Sequence, residues 1–83
     1  MTPDRMLAIA LRAELEADKL AKLATMRAML AAKLQARYGS DPRADKATRS
    51  AAFAARAASI AADDARSARA AIAETEAWYA EAE

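Results

Sequence analysis

Carboxylates close together in sequence are the first residues here whose spacing could do chemistry. Glu14 and Asp18 stand four apart, Asp63 and Asp64 are adjacent, and Glu74 and Glu76 are two apart. Such pairs hold hard cations or share protons. A di-metal site in a helical bundle, however, takes Glu-x-x-His pairs projecting inward, and the chain has no histidine. A calcium-type site needs a cage of six or more oxygens, and no stretch of this sequence supplies one. Cysteine is also absent, which removes disulfides, thiolate ligands and thiol nucleophiles, while the missing histidine removes imidazole acid–base chemistry. Ser40, Ser50, Ser59 and Ser67 have no base beside them and read as cap or surface residues. Lys19 and Lys22 follow Glu14, Glu16 and Asp18 at intrahelical pairing distance, worth on the order of tenths of a kcal/mol. The sequence implies no catalytic residue, no metal, no cofactor and no small-molecule substrate; a non-enzymatic role is expected.

Cations offer a second kind of chemistry. The net charge of +1 hides a polarised chain: residues 1–18 carry −2, residues 19–56 carry +7 and residues 57–83 carry −4. Lys33, Arg37, Arg43, Lys46 and Arg49 concentrate the positive charge in the middle of the sequence, and a basic cluster of this kind contacts phosphates. No glycine-rich loop, aromatic base-stacking platform or cluster of base-reading side chains accompanies it. The alternative function is therefore a small helical DNA- or RNA-binding oligomer, of phage or plasmid type, that touches phosphates alone. Trp78, ringed by Glu74, Glu76 and Glu81, has the character of an anchor for a partner protein.

The elements that position these residues follow from composition. Of the 83 residues 28 are alanine, only 18 are larger apolar residues, and none is valine. Alanine, leucine, methionine, arginine and glutamate are helix formers, so the fold class expected is all-α. Thr2 caps a first helix with Pro3 at its first position and Asp4 in its first turn. No breaker follows before Tyr38. Gly39, the only glycine, stands where a left-handed residue ends a helix, and Asp41-Pro42 repeats the cap-then-proline start. The whole chain, 1–83, reads as one helical-hairpin domain: helix 1 over about 3–38, a corner at 39–41 and helix 2 over about 42–81.

Helix 2 carries a seam of small residues at alternating four–three spacing: Ala47, Ala51, Ala54, Ala58, Ala61, Ala65 and Ala68, extended by Ile72, Thr75 and Tyr79. Small seam residues let a partner helix approach closely. Helix 1 offers larger ones at matching spacing: Met6, Ile9, Ala13, Glu16, Leu20, Leu23, Arg27, Leu30 and Leu34. Folding at the corner pairs residue i with roughly 80 minus i, which sets Leu23 on Ala58, Leu20 on Ala61 and Ile9 on Ile72. Glu16 would then reach Arg66 or Arg69, and Arg27 would lay its stem along the apolar surface.

A second apolar set has no place in that seam: Leu7, Leu11, Leu15, Met26 and Met29 on helix 1, and Phe53 and Ile60 on helix 2. An exposed stripe of this length marks an interface. The expected partner is the chain itself, as a dimer forming a four-helix bundle or as a larger helical oligomer; another helical protein is the other candidate. No apolar run approaches the length of a membrane span, and the start lacks a signal peptide's pattern, so a cytoplasmic protein is expected.

Overall fold

The computed structural model describes residues 2–82. Two helices account for almost all of them: α1 over Pro3–Tyr38 and α2 over Pro42–Ala82. They fold back on one another as an antiparallel hairpin, a rod of 64 × 15 × 15 Å.

Local chemistry sets each boundary. Thr2 is extended, and its hydroxyl accepts the Arg5 N–H at 3.3 Å while its carbonyl accepts the Met6 N–H at 3.0 Å. Pro3 fills the first helical position, where an N–H would have no partner. At the other end the Gly39 N–H donates to the Gln35 carbonyl at 2.9 Å, and Arg37 stands in the negative last turn. Gly39 has φ 63° and ψ −126°. The positive φ agrees with the expected glycine role, but this ψ belongs to the first central residue of a type II′ turn rather than to the left-handed helical region. Asp41 then caps α2, its carboxylate accepting the Arg43 N–H at 2.8 Å and its carbonyl the Asp45 N–H at 3.1 Å.

The hairpin core is alanine on both sides. Among the described residues Ala10, Ala31, Ala44, Ala54 and Ala65 are the buried ones, and no large side chain is fully enclosed. On α2 the expected seam from Ala47 to Thr75 lies buried or half-buried throughout, extended by Ala44. On α1 the seam differs from expectation at every second position. Met6, Ala13, Leu20, Arg27 and Leu34 face α2 as anticipated, but the residues between them are Ala10, Ala17, Ala24 and Ala31. Ile9, Leu23 and Leu30 are exposed, as is Glu16. α1 is thus turned by roughly 50° about its axis, half of one residue's step, so that alanine meets alanine. Small residues on both helices permit a closer approach than leucine on alanine would.

Three cross-hairpin contacts fix the register. Gln35 Nε2 donates to Thr48 Oγ1 at 3.0 Å, and Arg69 donates to both carboxylate oxygens of Glu14 at 2.7 and 2.9 Å. Near the termini the Thr75 hydroxyl lies 3.8 Å from Met6 Sδ. Paired residue numbers therefore total 81 to 83, close to the expected offset. Glu14, not Glu16, is the acid that reaches Arg69.

Candidate interaction surface

The two edges of the hairpin differ in kind. Glu14 and Gln35 are three heptads apart on α1, as are Thr48 and Arg69 on α2, so both cross-hairpin bonds lie on one edge. That edge is a polar latch. Arg69 is the chief influence on Glu14: its hydrogen bond, and then its charge, hold the carboxyl below the ordinary glutamate range. The same bond raises the arginine's pKa. Asp18 pairs with Lys22 at 3.0 Å and Asp63 with Arg66, both within a helix. Among the described residues no three acidic side chains gather closely enough to hold a metal ion.

The opposite edge runs through the α1 positions one heptad apart at Ile9, Glu16, Leu23, Leu30 and Arg37. On α2 the half-buried Ser50 and Ala57 line this edge, and the column Lys46, Phe53, Ile60, Ser67 and Glu74 runs beside them on the same side, one position further from α1. In the register of the latch, whose residue numbers total 83, Leu23 is level with Ile60 and Leu30 with Phe53. Four large apolar side chains therefore stand at two shared levels on one side of the rod, 37%, 56%, 55% and 72% exposed in that order. Met26, 67% exposed, lies between the two levels on the same side of α1.

The expected interface residues divide among the two edges and the back of α1. Met26, Phe53 and Ile60 share the apolar edge, and Leu23 and Leu30, assigned from sequence to the hairpin seam, join them there. Leu7 stands on the latch edge, one heptad before Glu14, while Leu11, Leu15 and Met29 turn toward the back of α1; all four are exposed. What sequence reasoning missed is the ladder Leu23/Ile60, Leu30/Phe53. Its signal was present in the seven-residue spacing on each helix, but only the rotation of α1 reveals that the two columns share a face.

The ends differ as well. Lys33, Arg37, Arg43, Lys46 and Arg49 are all exposed around the corner. Two of them are engaged locally: the Arg37 and Arg43 guanidinium carbons sit 5.6 and 5.0 Å from the centre of the Tyr38 ring, and Arg43 Nε also lies 3.4 Å from Asp41. At the open end a cavity of about 240 Å³ is bordered by Pro3, Met6, Leu7, Arg69, Ile72 and Tyr79. Tyr79, the last residue of the expected α2 seam, is instead exposed here beside Pro3 and Met6. Trp78, 63% exposed, meets Tyr79 edge-on with ring centres 5.0 Å apart.

No protein-family model, no curated protein and no solved structure matches this chain. No helix of the described residues is long and apolar enough to cross a membrane.

Proposed function

We propose that this chain is a homo-oligomeric helical scaffold that acts through protein–protein contact rather than catalysis, within the cytoplasm. One observation carries the reading: among the described residues the hairpin buries only alanines fully, while thirteen large apolar or aromatic side chains remain exposed. A buried methyl contributes about 0.8 kcal/mol, so the greater part of this chain's apolar potential stays unused in a single hairpin. Its accessible surface of 6430 Å² exceeds by about a third the ~4,800 Å² of a compact monomer of this mass. The excess is more than the ~800 Å² that each partner buries in a standard-size interface. A rigid rod would result, held by the alanine seam, joined to copies of itself through its apolar edge, and keeping its ends for other partners with Trp78 as the anchor. Absolute mass by light scattering during size exclusion, across protein concentration, tests this. A mass of two or more chains is expected; a persistent monomer of 8.8 kDa defeats the proposal.

The exposure of all five corner cations supports a second reading, phosphate contact with a nucleic acid. It predicts a salt-dependent mobility shift with generic duplex or RNA, abolished by Arg43→Gln, Lys46→Gln and Arg49→Gln together. No shift at low salt ends it.

A further inference from the structure

The apolar edge has an internal symmetry that names its occupant. Reading up α1 in steps of seven, the residues are Glu16, Leu23, Leu30 and Arg37: acid, apolar, apolar, base. Reversed and laid on itself, this column sets Leu23 against Leu30 and Glu16 against Arg37. On α2 the column is Lys46, Phe53, Ile60 and Ser67, so reversal again sets apolar on apolar and brings the base over an uncharged serine rather than over another cation. The centre of the α1 column falls between Leu23 and Leu30, and that of the α2 column between Phe53 and Ile60. These centres come from separate helices, yet their positions total 83, the register of the Gln35–Thr48 and Glu14–Arg69 bonds. They stand at one level of the rod, as a single two-fold axis requires.

We infer that a second copy of this chain seats on the Leu23, Leu30, Phe53 and Ile60 face, antiparallel, about a two-fold axis crossing the rod at that level. The inference rests on the self-association proposed above and adds its face, direction and register. α1 packs on α1 of the copy, and α2 on α2. Met26 meets its own counterpart near the axis. Arg37 and Lys46, level with each other at the basic corner, come over Glu16 and Ser67 of the copy, and the reverse holds at the other side. A parallel pair would instead stack Arg37 and Lys46 on the same cations, an arrangement that like-charge repulsion opposes. The axis lies nearer the corner than the termini, so the open ends of the two hairpins extend past the overlap in opposite directions.

Because the chain has no cysteine, introduced thiols report the pairing directly. An equimolar mixture of Glu16→Cys and Arg37→Cys chains, oxidised gently, is expected to give mainly the disulfide between positions 16 and 37 of different copies. Dominant 16–16 and 37–37 products, or an oligomer giving no 16–37 product, overturn the inference and leave self-association standing. A monomeric mass for the unsubstituted chain overturns both. A charge exchange provides a second test. Glu16→Arg and Arg37→Glu should each raise the dimer dissociation constant on the order of tenfold at low salt, and the two combined in one chain should return it to within about twofold. A combined variant no tighter than the weaker single one, with helicity unchanged by circular dichroism, overturns the inference.

Discussion

Glu14 of α1 and Arg69 of α2, 55 residues apart in the chain, meet in a two-point hydrogen bond at 2.7 and 2.9 Å. The pair clasps the hairpin in its terminal half, as Gln35 and Thr48 do near the corner. A forked guanidinium on a carboxylate is directional, so this contact holds register as well as charge.

The clasp makes stability depend on acid. The Arg69 hydrogen bond lowers the Glu14 pKa, so the folded chain keeps this carboxylate ionised where the unfolded chain takes up a proton. Its stabilisation is complete above the ordinary glutamate pKa and is lost as pH falls through the lowered folded value. Glu14→Gln is expected to lower the thermal midpoint slightly at neutral pH and to reduce the acid-side slope. An unchanged difference between the two chains from neutral pH down to strongly acidic pH would remove the clasp from the account.

The alanine seam is tested by volume. Ala54 is 4% exposed and faces α1, whereas Ala55, one step on, is exposed. Ala54→Leu should lose about 1–3 kcal/mol by forcing the helices apart, while Ala55→Leu should stay within about 0.5 kcal/mol of the original. Urea unfolding of both chains checks the contrast. Equal effects would mean that the helices do not approach along this row.

The corner is tested by backbone and cap. A side chain added at Gly39 meets nothing within 4 Å, so the effect of Gly39→Ala isolates the cost of its positive φ, about 1–3 kcal/mol. Asp41→Ala removes the acceptor of the Arg43 N–H and should cost about 1 kcal/mol. Both are read from the denaturant midpoint at constant slope.

The two apolar rows are separated by substitution. Leu11→Glu with Leu15→Glu changes the latch-side and back surface only, and the dimer mass should survive it. Leu23→Glu with Phe53→Glu places charges on the proposed interface and should yield monomers by light scattering. The opposite pattern would move the interface to the Leu7, Leu11 and Leu15 row.

Much of this architecture is local and can be read in one dimension. Helix propensity, the Thr2 and Asp41 caps, the prolines after them and the single glycine depend on neighbours within four residues, so they determine two helices and one reversal. The α2 seam is legible too, because its alanines hold one spacing for seven positions with no competing row. α1 is different. Met6, Ala13, Leu20, Arg27 and Leu34 belong equally to a row through Ile9, Leu23 and Leu30 and to a row through Ala10, Ala17, Ala24 and Ala31. Nothing local chooses between them, since both keep the same spacing. Only packing against α2 decides, and it favours the smaller residues because two alanine rows bring the helices closest. That rotation of α1 selects Glu14 over Glu16 for Arg69 and leaves Leu23 and Leu30 outward beside Ile60 and Phe53. The sequence by itself determined the helices and their turn; the tertiary structure alone decided which face of α1 is core and which is surface, because a helix's rotation about its axis is set by what it touches.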